Sequence, residues 1–96
     1  MKVALTDAAE ADLAESYTHY AARSGSAADR VVGVIIKAIN SLALFPRMGR
    51  PGVVPETRER VVGRYPYRII YHIDMATQSI ELWRIVHDAQ RWPPEE

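Results

Sequence analysis

The sequence predicts an α+β domain of order βααβββ, a two-helix hairpin packed on a mostly antiparallel sheet. Three observations carry that reading. The runs Tyr67 to Asp74 and Ser79 to His87 alternate apolar and polar residues with period two, as half-buried strands do. Residues 7–44 place apolar side chains at helical spacing, broken only at Ser24-Gly25-Ser26. The last three extended runs are separated by gaps too short for crossover connections, so they pair as antiparallel hairpins.

Lys2 to Leu5 reads as a short first strand. Asp7-Ala8-Ala9-Glu10 fits a capping pattern, with the Asp side chain accepting from an early amide and Glu10 reaching back. Ala9, Leu13, Tyr17, Tyr20 and Ala21 then supply the inner stripe of the first helix. Ser26, with Asp29 three residues on, is the expected cap of the second helix. Val32, Ile35, Ile36, Ile39, Leu42 and Ala43 form its wide apolar stripe, and Pro46 stops it. Phe45 to Thr57 holds Pro46, Gly49, Pro51, Gly52 and Pro55 and reads as loop. Strands are expected at Arg58 to Tyr65, Tyr67 to Asp74 and Ser79 to His87. A proline-interrupted tail, 88–96, closes the single domain, 1–96.

Composition narrows the function. Almost half of the 96 residues are apolar, so a core forms and disorder is not expected. There is no cysteine, which excludes a disulfide framework, a thiolate zinc site and a cysteine nucleophile. No apolar run approaches the ~20 residues of a membrane span. The opening residues turn acidic too soon for a signal peptide, so a cytoplasmic location is expected. Formal charge is zero, yet unevenly placed: residues 1–44 carry a net minus one and residues 45–94 a net plus three. Lys2 and Lys37 are the only lysines, and the remaining cations are arginines, which favour directed, bidentate contacts.

The strand from Tyr67 to Ile73 sets Arg68 and His72 opposite an apolar face. Ile80 to His87 repeats the pattern before Gln90-Arg91-Trp92-Pro93-Pro94. Two strands that raise arginine and histidine beside an Arg-Trp tail point to a site. Each candidate also has a plain structural role. Arg68 can pair across the sheet with Glu81 or Glu59, and His87 can hydrogen-bond a tail carbonyl. His72 reads as a surface residue, His19 as structural, and Trp83 and Tyr71 as core or half-core aromatics. Trp92 packs the tail, or stacks on a base. Arg58, Arg60 and Arg64 share one strand face, costly without matched acids unless something covers it. The histidines and nearby aspartates lack metal-ligand spacing, so no metal and no cofactor is expected.

The order of these pieces resembles toxins of the RelE/ParE superfamily of type II toxin–antitoxin modules. The resemblance rests on Leu42-Ala43-Leu44-Phe45-Pro46, Gly49-Arg50-Pro51-Gly52 and Pro55-Glu56-Thr57-Arg58-Glu59. It continues through Pro66-Tyr67-Arg68-Ile69-Ile70-Tyr71 to Ile85-Val86-His87 and Arg91-Trp92. It implies a growth-arresting toxin neutralised by a cognate antitoxin, with operator DNA reached only through that antitoxin. Two activities occur on this fold, inhibition of DNA gyrase and ribosome-dependent mRNA cleavage.

Cleavage would use Arg68 as phosphate clamp, His87 for proton transfer and Arg84 or Arg91 as a second cation. Zero net charge, few lysines and a tail without tyrosine weigh against it. The resemblance therefore favours a ParE-like gyrase inhibitor that is not itself an enzyme. Its target contacts are expected at Arg91, Trp92, Arg68 and His87, and its antitoxin contacts at Arg58, Arg60 and Arg64. Ribosome-dependent mRNA cleavage is the alternative.

Overall fold

Thr6 starts the first helix. The computed structural model describes residues 1–94; the closing Glu95 and Glu96 of the expected tail lie outside the described residues. Strand β1 (Lys2–Leu5) ends in extended backbone at Thr6, whose Oγ1 accepts from Ala9 N at 3.1 Å and opens α1 (Asp7–Ala21). The expected cap, Asp7, is instead the first helical residue, where its charge meets the positive end of the helix dipole. Ser24 likewise replaces Ser26: its Oγ accepts from Ala27 N at 3.0 Å and starts α2 (Gly25–Leu44). In both cases the capping hydroxyl belongs to the last extended residue before the turn.

The inner stripes shift slightly from those the sequence suggests. Ala9 and Ser16 are buried in α1, with Leu13 and Tyr20 packed beside them. These positions step by four, three and four residues. Tyr17 lies one position off this line and is 43 % exposed. Ser16 satisfies its own hydroxyl by donating to Leu13 O at 2.7 Å. In α2 the buried line is Ala28, Val31, Ile35, Ala38, Ile39 and Leu42, while Ile36 faces outward.

The sheet runs β1-β5-β4-β3-β2. Only the β1–β5 pair is parallel; the other three pairs are antiparallel. The loop after α2 contributes a two-residue strand, β2 (Arg50–Pro51), paired with β3 (Arg58–Val61). Strand β3 stops at Val61 rather than Tyr65. Gly63 takes a left-handed φ of 51°, and Val62 N donates to Tyr67 O at 3.0 Å, closing a hairpin. Strands β4 (Tyr67–Asp74) and β5 (Ser79–His87) match the alternation. Both helices cover one face, and Val31, Ile35, Leu42, Ile69, Tyr71, Ile80, Leu82 and Ile85 interlock between the layers. Each fully buried Ile or Leu there contributes ~1.5–3 kcal/mol.

Tyr71 ties the loop after α2 to this core. Its hydroxyl donates to Pro46 O at 2.7 Å and accepts from Gly49 N at 2.9 Å. That approach needs glycine: a Cβ at residue 49 would sit 2.7 Å from the Tyr71 hydroxyl and 2.9 Å from Glu59 O. Leu44, Phe45, Met48 and Met75 remain half or more exposed at this end, around a hollow also lined by Met1 and Ile73.

Two stability outcomes follow. Gly49→Ala should cost about 2 kcal/mol in urea unfolding, because the buried backbone of β3 must move. Gly33→Ala, in an open position of α2, should add up to about 1 kcal/mol. A further outcome concerns alkaline pH. Burial pushes the Tyr71 hydroxyl above its ordinary pKa of 10.0, partly offset by the Gly49 N–H and by Arg58 and Arg60. Tyr67 is raised too, by burial first and then by Tyr20 and Glu15. Folded-state values above the unfolded one mean the contribution is complete below pH 10.0 and declines as pH climbs through the folded pKa. Urea midpoints should therefore fall above that pH, and Tyr71→Phe should flatten the decline while lowering stability at neutral pH.

Candidate functional site

One extra residue in β5 decides which side chains share a surface. Strands β4 and β5 pair Ile73 with Ile80 and Tyr71 with Leu82, then Ile70 with Arg84, leaving Trp83 as a bulge. Without it His87 would fall on the same face as Arg68. With it, Arg68 pairs with Val86 and Tyr67 pairs with His87. Adjacent residues of a strand point to opposite faces. Arg68 therefore lies on the face away from the helices, and His87 on the helix side beside Tyr67. The expected common surface for Arg68 and His87 does not form.

Arg68 is held by a buried carboxylate. Its Nη1 donates to Glu59 Oε1 at 2.6 Å, and Glu59 is only 2 % exposed. Glu59 Oε2 accepts from Val53 N at 3.0 Å, and Arg50 approaches Oε1 at 3.7 Å. Asp88 of the tail adds a longer contact, 3.8 Å from Arg68 Nε. Of the two partners that the sequence offers Arg68, Glu59 is the one it meets.

Arg84 is also engaged. Its Nε and Nη2 donate to the two oxygens of Asp12 on α1, at 2.7 and 2.9 Å. The Asp12 Oδ2 accepts from Ile85 N as well, at 2.8 Å. This hydrogen-bonded partner raises the Arg84 pKa, so the guanidinium is a fixed charge. The His87 ring accepts from a tail amide, while its main-chain N–H meets the side-chain carbonyl of Gln90. Ala89 N donates to its Nδ1 at 2.9 Å, which puts the proton of the neutral ring on Nε2. Its own N–H donates to Gln90 Oε1 at 2.8 Å, and its ring meets Tyr67 edge-on at 5.2 Å.

The remaining candidates are dispersed. Arg58 donates to Gly49 O at 2.7 Å, and Arg60 Nε to Ser41 Oγ at 3.3 Å, on the helix side of β3. Arg64 is exposed in the β3–β4 turn, so the three arginines do not form one strand face. His72 Nδ1 donates to Glu56 O at 2.7 Å, and His19 is exposed against the edge of Tyr20. Tyr71 is fully buried, and Trp83 is half-buried with its indole N–H on Glu81. In the tail Arg91 is exposed and Trp92 half-buried. The Trp92 indole nitrogen is buried with no hydrogen-bond partner among the described residues. Asp12 and Glu59 organise both clusters, and sequence reasoning gave Asp12 no part in a site. It reads as a surface acid on a helix, and only its contact with β5 distinguishes it. Glu59 carries a faint signal as the lone acid between Arg58 and Arg60.

A two-helix layer on this sheet, with an Arg-Trp tail, is the arrangement that the resemblance to RelE/ParE toxins leads one to expect. Residues 3–92 match the family model described as the ParE toxin of the type II toxin–antitoxin system parDE. The chain belongs to that family of toxins. It is 42 % identical over 67 residues to Y4kP of Sinorhizobium fredii, a protein named as a toxin, covering 70 % of this chain and 67 % of that one. The chromosomal ParDE system of P. aeruginosa contains a chain that superposes with a TM-score of 0.81 at 27 % identity, covering 91 % of this chain and 95 % of that one. A chain of the RelBE2 toxin–antitoxin complex of Mycobacterium tuberculosis shares the fold, with a TM-score of 0.66 at 22 % identity, over 90 % of this chain and 95 % of its own.

The Arg68–Glu59 pair has a measurable consequence. Arg68→Ala strands a buried carboxylate and should cost about 3 kcal/mol in chemical unfolding. The double variant Glu59→Gln with Arg68→Met removes both charges and should recover most of that loss. Equal losses in the single and double variants would show that Arg68 stabilises through packing alone.

Proposed function

We propose that this chain arrests bacterial growth by inhibiting DNA gyrase, acting as a binding toxin that a cognate antitoxin neutralises. One geometric observation supports this reading above all: the groups that RNA cleavage would need do not converge. Attack of a 2′-hydroxyl on phosphate needs a proton-transfer group and cations around a single phosphorus atom. Here Arg68 and His87 occupy opposite faces of the sheet. Arg84 is held by Asp12 through its Nε and Nη2, and His87 Nδ1 accepts from Ala89 N. The ParE family match and the ParDE likeness favour the same branch.

The contact with the target is assigned to the tail, at Arg91 and Trp92. Arg91 is exposed and Trp92 half-buried, so both side chains offer surface to a bound protein. The antitoxin is expected to present an acidic, extended segment that folds as it docks on the arginine-rich second half, near Arg64 and the outer parts of Arg58 and Arg60. The resemblance to chains from toxin–antitoxin systems supports such a partner.

Purified protein should inhibit gyrase supercoiling at concentrations comparable to those that stop growth. Trp92→Ala should weaken the inhibition by roughly tenfold, ~1.4 kcal/mol, with the fold intact by circular dichroism. Unchanged supercoiling at growth-arresting doses, together with cleavage of messages on ribosomes, would overturn this reading in favour of the nuclease.

A further inference from the structure

Between α1 and the end of β5 lies an open cleft of about 270 Å³ that none of the roles above uses. Glu15, Ser16 and His19 form its helix wall, Tyr67 and His87 its floor, and Gln90 its tail wall. Tyr67 is only 6 % exposed, yet its hydroxyl has no hydrogen-bond partner among the described residues. That oxygen is not fully buried, so it is open to a ligand in the cleft.

The charge around this hydroxyl is one-sided. Helix α1 carries Asp7, Glu10, Asp12 and Glu15 and no lysine or arginine. Arg84 neutralises Asp12, whereas the Glu15 carboxylate has no hydrogen bond or ion pair among the described residues. Burial first, and then the neighbouring Tyr20 and Glu15, push the Tyr67 hydroxyl above its ordinary pKa. The floor and the tail wall also offer donors: the His87 Nε2–H left by the Ala89 contact, and the Gln90 amide nitrogen, whose oxygen is already used. The volume falls below the ~300–1,000 Å³ of sites for drug-sized molecules, so it suits a single inserted side chain.

We propose that the cleft receives an arginine residue of a partner protein, its guanidinium shared between the Glu15 carboxylate and the Tyr67 hydroxyl. The main-chain carbonyl of that arginine meets the donors of His87 and Gln90. Arginine fits better than lysine because its planar fork meets two separated acceptors and lies against an aromatic floor. An anionic ligand is excluded by Glu15. This site is lined by none of Arg58, Arg60 and Arg64, the residues assigned to an acidic antitoxin segment, and it does not depend on gyrase being the target.

The test is a titration of the whole chain with N-acetyl-arginine amide, followed by NMR at the rings of Tyr67 and His87. N-acetyl-citrulline amide, of the same shape without the charge, and N-acetyl-lysine amide serve as comparison probes. The proposal expects saturable shifts with the arginine probe, clearly weaker binding of the lysine probe and no saturation with citrulline. Glu15 is exposed, so Glu15→Gln should fold normally and weaken arginine binding by roughly tenfold. Absence of saturation, equal shifts with citrulline, or binding that survives Glu15→Gln would overturn it. Lysine binding as tight as arginine would overturn the choice of a guanidinium.

Discussion

Asp12 works at an edge that β1 is too short to cover. Strand β5 spans nine residues, whereas β1 spans four and its pairing ends at Leu5 with Leu82. Beyond that point the outer edge of β5 would expose backbone groups beside the helix layer. Side chains and one amide take them instead. Thr6 N donates to Leu82 O at 3.0 Å, and Thr6 Oγ1 to Trp83 O at 2.7 Å. Asp12 accepts from Ile85 N and Gln90 from His87 N, both at 2.8 Å. Because the same Asp12 carboxylate also binds Arg84, the height and angle of α1 over the sheet are set at this edge. The cleft beside Tyr67 and the start of the tail inherit their positions from it.

The bulge at Trp83 acts on the same segment. By inserting one residue it turns Ile85 and His87 toward the helices and leaves Val86 beside Arg68. The inner face thereby gains Ile85 for the core, and the outer face becomes the setting for a buried ion pair. Glu59 is satisfied there by Arg68 and by the Val53 N–H, with Arg50 more distant. Such a pair contributes little net stability relative to apolar residues of the same volume, yet it tolerates the loss of one partner poorly. Its consequence is positional: it links β3 to β4 and anchors the loop around Val53 to the outer face.

Much of the fold is legible in the sequence because periodicity reports burial directly. Strands β4 and β5 follow from alternation, and the helix hairpin from the spacing of Ile35, Ile39 and Leu42 around a serine-glycine break. The caps at Thr6 and Ser24 were displaced because several hydroxyl and carboxylate residues crowd each turn, and local backbone geometry selects among them. The candidate site was far less legible. Alternation alone cannot show a bulge, since one added residue reverses every later side chain while leaving the apolar content unchanged. Nor can it show that a helix acid such as Asp12 lies against a strand edge 73 residues further along the chain. The arginines expected to share one strand face were misread for a related reason. Arg58 and Arg60 reach back to the loop and to the end of α2, and their partners are distant carbonyl and hydroxyl groups.

The apolar end around Leu44, Phe45, Met48 and Met75 bears on how the chain behaves by itself. Leu44, the last residue of α2, is 76 % exposed, and Phe45, which caps the helix, 61 %. Water in contact with such a surface is released whenever the surface meets another apolar body. The uncombined protein therefore has a colloidal liability that its zero formal charge does nothing to offset, since it lacks the mutual repulsion that keeps copies apart. Solubility at high concentration is thus a property of the chain together with whatever shields that end.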